Sequence, residues 1–133
     1  MEYSEIKWDW RSIGGIGDIV GKTPIKIQVE RNNDDYIAMW FDDGTVCRFY
    51  HNQDCCESVT IDDINGDFQD LIGYQLHVAE ERSSHEDSGD YESVTWTFYT
   101  FRGVGGSVDV RWCGSSNGYY SESVDFDLIK VES

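Results

Sequence analysis

Residues 35–51 read DYIAMWFDDGTVCRFYH and predict a β-hairpin. The first half, residues 35–41, is apolar on both faces of an extended segment, which is typical of a strand at the centre of a sheet. DDG at 42–44 provides a tight turn, and residues 45–51 form a second extended segment at hairpin spacing. The sequence therefore predicts two adjacent antiparallel strands, the first of them central.

Apolar and polar residues also alternate before and after this hairpin, as expected of half-buried strands. Candidate helices are limited to residues 3–12 and one turn at 67–73. The predicted fold class is mainly β (α+β), a bent antiparallel sheet or sandwich of about eight strands with one or two short helices, in one domain spanning 1–133. Besides the hairpin, the predicted strands are 24–30, 57–64, 74–81, 93–101, 107–113 and 121–131.

Two polar stretches are interpreted as connections between strands. Residues 82–92, RSSHEDSGDYE, predict an acidic loop of variable length. Residues 114–123 contain Asn117-Gly118, a pair that favours a turn, followed by Tyr119 and Tyr120. The two tyrosines are either exposed contact residues or part of the packing of a hairpin.

The charge is strongly negative, with 26 acidic and 10 basic residues giving a formal net charge of −16. The bases are scattered and form no patch, which argues against direct binding of nucleic acid, because each phosphate contact needs a cation. The charge favours a basic partner, although it also serves solubility. No apolar stretch approaches the roughly 20 residues of a membrane span, so a soluble, cytoplasmic protein is expected.

Residues 51–57, HNQDCCE, concentrate groups that bind metals. Zinc takes about four ligands from sulfur, imidazole nitrogen or carboxylate oxygen. His51, Asp54, Cys55 and Cys56 are therefore candidate metal ligands, provided that the loop is kinked enough to bring both sulfurs together. Glu80 or Glu81 is the next choice to complete the set.

Two other interpretations of this loop stay open. The cysteines can simply be packed thiols beside a hydrogen-bonded histidine, because free cysteine behaves as a small apolar residue. A thiol enzyme could use Cys55 or Cys56 with His51, but no third group or oxyanion hole is recognisable. In a reducing compartment, thiols or metal ligands are expected rather than disulfides. His77, His85 and Cys113 receive no functional role.

Three stretches together resemble a small domain of phage and prophage proteins: residues 51–73, 95–112 and 116–126. The resemblance covers roughly residues 44–127. Some small acidic proteins of this kind are anti-CRISPR proteins, and the chain resembles a zinc-containing anti-CRISPR protein directed at the type II-A RNA-guided nuclease.

This resemblance implies a non-catalytic inhibitor in the cytoplasm of a bacterial host, acting through contact with the nuclease. The oligomeric state stays open, with a monomer favoured. The resemblance also implies one structural zinc ion per chain, at His51 and the Asp54-Cys55-Cys56 run. The channels of this nuclease that hold RNA and DNA are lined with basic residues, so an acidic protein surface suits such a partner. The alternatives are a metal- or thiol-dependent phage enzyme that uses the His51/Cys55 cluster, or a phage binding module without metal.

Overall fold

The structure is a computed structural model that describes residues 1–8, 12–32, 34–87 and 92–131. Short 3₁₀ turns lie at Tyr3–Glu5, Ile16–Ile19 and Phe68–Leu71. No other helix occurs in these ranges. The strands are β1 (Pro24–Glu30), β2 (Tyr36–Phe41), β3 (Thr45–Tyr50), β4 (Ser58–Asn65), β5 (Leu76–Asp87), β6 (Ser93–Gly103), β7 (Gly106–Ser116) and β8 (Asp125–Lys130).

The strands form two four-stranded antiparallel sheets, with strand orders β1-β2-β3-β8 and β4-β7-β6-β5. The mainly β prediction is confirmed. The hairpin predicted at 35–51 is β2 and β3, paired from Ile37 opposite Phe49 to Trp40 opposite Val46. Strand β2 lies between β1 and β3, which explains why it is apolar on both faces.

The inner faces of the two sheets pack together as a sandwich. Phe49 of the first sheet meets Tyr99 and Phe101 of the second, with ring centroids 4.8 and 5.4 Å apart. Trp112 is fully buried in the same core. Aromatic side chains of this size contribute most of the apolar area that stabilises such a core.

The outer face of the first sheet is covered by the N-terminal segment. Ile6 packs on Ala38, Trp40, Val46 and Ile129 to form a second, smaller apolar cluster. A strand apolar on both faces needs cover on both sides, and this segment supplies the second cover.

Three predictions of secondary structure require correction. Residues 82–87, predicted as part of a loop, belong to β5, which pairs with β6 as far as Asp87 opposite Ser93. These residues are polar because β5 is an edge strand whose distal half is exposed, so no burial selects apolar residues there.

The helix predicted over 3–12 is only the 3₁₀ turn Tyr3–Glu5 in the described part, and residues 9–11 lie outside the described residues. The last strand begins at Asp125 rather than at 121. Within the described ranges, no helix is long and apolar enough to cross a membrane.

Candidate functional site

The 51–57 loop connects the end of β3 to the start of β4 and therefore crosses from one sheet to the other. Asn52, Gln53, Asp54, Cys55 and Cys56 are exposed. Glu57, the last residue of the loop, is only 4% exposed. The loop thus presents polar side chains to solvent around one buried acid.

Glu57 organises the loop by accepting hydrogen bonds from four residues. Its carboxylate accepts the backbone N–H groups of Cys55 and Asp54 at 2.8 and 3.0 Å, and the side-chain amide of Gln53 at 3.1 Å. The Nε2 atom of His51 lies 2.9 Å from Oε2 of Glu57. Burial raises the pKa of Glu57, but the hydrogen bonds from His51, Cys55 and Asp54 outweigh it and lower the pKa to about 2.

His51 is held from both sides. Its Nδ1 atom lies 2.8 Å from the backbone oxygen of Ser123, and its Nε2 atom faces Glu57. A carbonyl oxygen and an ionised carboxylate are both acceptors only. Both contacts are satisfied at once by a ring that carries a proton on each nitrogen, and the His51–Glu57 contact is then a charged pair.

Cys55 and Cys56 are bonded to each other in a disulfide between adjacent residues. Cys47 and Cys113 are free, the first fully buried and the second partly buried. The structure thus differs from the expectation that all four cysteines are thiols or metal ligands. Burial raises the pKa of the Cys47 thiol, which keeps that sulfur protonated and chemically inert.

In the form that the structure describes, the predicted ligands do not fit a zinc ion. Zinc binds thiolate sulfur and unprotonated imidazole nitrogen, whereas both sulfurs are bonded and both ring nitrogens of His51 face acceptors. Among the described residues, no three His, Cys, Asp or Glu side chains are grouped so that they could hold one ion. Zinc binding stays a prediction, and it requires reduced cysteines and a released His51 ring.

Glu80 and Glu81, the other suggested ligands, lie far from the loop. They are on β5, three strand spacings across the second sheet from β4, or about 14 Å. Glu81 accepts a hydrogen bond from the hydroxyl of Tyr99 at 3.1 Å, and Glu80 is exposed. The structure therefore does not bring them together with His51.

A cleft of about 1150 Å³ lies beside the loop and includes His51, Gln53 and Glu57 in its lining. The lining also includes Arg48, whose guanidinium carbon is 4.4 Å from the ring centre of Trp8 and 3.7 Å from that of Tyr50.

Arg48 also forms an ion pair with Asp127 at 2.9 Å. Contacts of a guanidinium with an aromatic face are worth about 0.5–1 kcal/mol at exposed sites and about 2 kcal/mol when desolvated. Arg48 is thus already engaged within the chain, and the sequence analysis had assigned it no role.

Sequence reasoning also missed a second buried acid, Glu122. Its carboxylate accepts hydrogen bonds from the hydroxyls of Ser93 at 3.2 Å and Thr95 at 2.8 Å, and from that of Ser116. His85 lies 4.0 Å away. Burial raises the pKa of Glu122, but these hydrogen bonds outweigh it and leave the pKa below its usual value. Scattered serines and threonines give no sequence signal for such a cluster.

Four bases of the described surface are neutralised by ion pairs inside the chain. Ion pairs join Lys22 to Asp43, Lys26 to Glu2, Arg48 to Asp127 and Arg111 to Asp62. The acids outnumber the bases 26 to 10, and acids without an ion pair to Lys or Arg are exposed on both sheets and their turns, among them Asp42, Asp63, Asp70, Glu80 and Asp109. The surface that remains for a partner is therefore strongly negative.

Together the fold and the loop define an all-β sandwich with a buried acid at a crossover between its sheets. A family model described as a domain of unknown function, DUF7448, matches residues 17–126. The chain belongs to this family. No curated protein and no solved structure matches the chain.

Proposed function

We propose that this protein is a non-catalytic binding protein whose acidic surface docks onto a basic face of another protein. The observation that carries the proposal is the imbalance of surface charge. Among the described residues, ion pairs occupy four of the bases, while acids such as Asp42, Asp63, Asp70 and Asp109 are exposed without an ion pair to Lys or Arg. A field of one sign accelerates association with a partner of the opposite sign.

The polar groups of the 51–57 loop already hydrogen-bond within the chain, which favours binding over catalysis. His51 has acceptors at both ring nitrogens, and the carboxylate of Glu57 accepts hydrogen bonds from four residues. A general base needs a free position within reach of substrate. These groups act instead as supports that hold the loop in one conformation.

The narrower form of the proposal names the partner. The resemblance to phage domains suggests an anti-CRISPR inhibitor that binds a basic surface of the type II RNA-guided nuclease and blocks nucleic-acid loading or cleavage. The channels of that nuclease are positively charged because they hold RNA and DNA. The structural zinc implied by the same resemblance is a separate part of this proposal.

The test is equilibrium binding of the purified protein to a type II-A nuclease, with and without guide RNA, followed by a DNA-cleavage assay. The proposal predicts binding to the guide-free enzyme, loss of binding or of cleavage when both are present, and no binding to a basic protein of unrelated fold such as lysozyme. No binding to either form of the nuclease would overturn the narrower proposal. Equal binding to lysozyme would reduce the effect to unspecific charge attraction.

A further inference from the structure

We propose that the outer edge of β5 binds an extended, basic segment of the partner protein as an added strand. The basic character of that segment rests on the proposed function, whereas the open edge is an independent structural feature. Addition of a strand to an exposed sheet edge is a common mode of peptide recognition, in which backbone hydrogen bonds give affinity and side chains give specificity.

Strand β5 is the last strand of its sheet and pairs with β6 on one side only. On its other side, the backbone hydrogen bonds within the described residues are confined to Leu76. Its carbonyl accepts from Gly21 at 2.8 Å, and its N–H donates to Lys22 at 2.9 Å. As far as the described residues show, the stretch from Ala79 to Glu86 therefore has an open edge.

The register shows which residues face outward. Because the backbone of Leu76 bonds away from β6, its pair with Gly103 is not hydrogen-bonded. Hydrogen-bonded and non-hydrogen-bonded pairs alternate along an antiparallel ladder. After the bulge at 77, the pair of Val78 with Arg102 is thus hydrogen-bonded. The residues whose N–H and C=O point away from the sheet are then Ala79, Glu81, Ser83 and His85.

The side chains along this edge select a basic segment. Residues 80–87 are all exposed and include four acids and one arginine. Opposite charges on facing residues of paired strands are stabilising, and like charges are destabilising. A lysine-rich or arginine-rich strand therefore complements this edge.

A second copy of the chain does not complement it. Antiparallel self-pairing through the outward residues, centred on Ser83, places Glu80 of each copy opposite Glu86 of the other. Such like-charge pairs oppose edge-to-edge dimers, as charged residues on natural edge strands do. The same charges that keep the edge open to a basic partner thus keep the chain from pairing with itself.

The experiment uses a capped eight-residue peptide in which lysine alternates with threonine, and a control peptide in which glutamate replaces lysine. Amide hydrogen exchange of the full chain is followed by NMR. The proposal predicts slower exchange at Glu81, Ser83 and His85 with the lysine peptide only. Binding of the lysine peptide without protection at these amides, or no binding at all, would overturn it.

A matched pair of variants tests the backbone directly. Ser83→Pro removes one outward N–H and leaves the ladder to β6 intact, because proline is tolerated at the solvent side of an edge strand. It should weaken peptide binding by about tenfold, the effect of roughly one hydrogen bond, while Ser83→Ala binds as the native chain does. Unchanged affinity in a folded Ser83→Pro protein contradicts the proposal. If that variant does not fold, the hydrogen-exchange experiment with the native chain serves as the test instead.

The two proposals fail in different ways. If native and folded Ser83→Pro protein bind the nuclease equally well, the proposal of strand addition at β5 is overturned and the proposed function still stands. If the lysine peptide protects the β5 amides but the protein does not bind the nuclease, strand addition at β5 is supported and the narrower proposed function is overturned.

Discussion

His51 and Glu57 form a buried hydrogen-bonded pair that closes the loop between the two sheets, with Nε2 2.9 Å from Oε2 and side-chain exposures of 4% and 0%. His51 ends the hairpin of the first sheet, and Glu57 precedes the first strand of the second. The pair therefore fastens the crossover of the sandwich. Removing one partner of a buried pair leaves the other charge uncompensated.

Glu57→Gln should lower the melting temperature measurably at pH 7, because an amide cannot replace the charge facing His51 and accepts fewer hydrogen bonds. Circular dichroism melting is the measurement. Glu80→Gln, which removes an exposed acid of the same type, is the control and should leave the melting temperature nearly unchanged. Equal effects of the two substitutions would show that Glu57 has no special role.

The same pair predicts loss of stability in acid. The pKa of Glu57 falls from an ordinary 4.5 to about 2 on folding, so its contribution is complete above 4.5. That contribution disappears as the pH falls towards 2. Denaturant unfolding between pH 6 and 2 should therefore show a smaller difference between native protein and Glu57→Gln at the lowest pH. A difference that stays constant over this range would contradict the assignment.

Asp35→Asn should stabilise the protein at pH 7. Burial raises the pKa of Asp35 above its ordinary value, despite the hydrogen bond that it accepts from the N–H of Ile61 at 2.8 Å. The charged form is thus disfavoured on folding, and asparagine keeps an acceptor without the charge. The gain in unfolding free energy should vanish in acid, where Asp35 is itself protonated. A loss of stability at pH 7 would show that the negative charge of Asp35 stabilises the fold, for example through its attraction to Arg31.

Gly114→Ala should destabilise the fold by about 1–3 kcal/mol, as overpacking of a tight contact does. A Cβ atom at Gly114 would lie 2.3 Å from the backbone oxygen of Glu122, so the segment that carries Glu122 would have to move off β7. Gly17→Ala is the control, because a Cβ atom there meets nothing within 4 Å. Chemical denaturation of both variants checks the prediction, and equal stabilities would contradict it.

The thiol count tests both the disulfide and the zinc prediction. In native protein purified without reductant, Cys55 and Cys56 should not react with a thiol reagent, and buried Cys47 should react only after unfolding. Reduction should expose two more reactive thiols. Zinc binding is expected only in the reduced protein, measured by elemental analysis with His51→Ala as the control.

Two reactive thiols at 55 and 56 before reduction would contradict the disulfide. Failure of the reduced protein to bind zinc would end the zinc prediction. Zinc retained by His51→Ala at the native stoichiometry would remove His51 from the ligand set.

The sequence predicted the fold better than the site, for physical reasons. Strand patterns such as the one that places Val108, Val110 and Trp112 on one face are dictated by burial, which acts locally and leaves a period of two. The distal half of β5 lacks that signal because neither face is buried, and it was therefore mistaken for a loop.

The 51–57 loop was recognised as special, but its organisation was not. The sequence singled out His51 and the cysteines, whereas Glu57 carries most of the hydrogen bonds. A glutamate in a chain with 26 acids has no distinguishing pattern. The partner of Nδ1 of His51, the carbonyl of Ser123, is 72 residues away and depends wholly on the tertiary fold.

The most direct test of the proposed function is the affinity for the guide-free type II-A nuclease, measured at rising salt concentration. Charge-driven docking should weaken steeply as salt screens the acidic surface, since the Debye length falls from about 10 Å at 0.1 M to about 3 Å at 1 M. The account predicts a loss of binding of at least about tenfold over this range. Affinity that does not change with salt would contradict it, and would place the interface on packed apolar contacts instead.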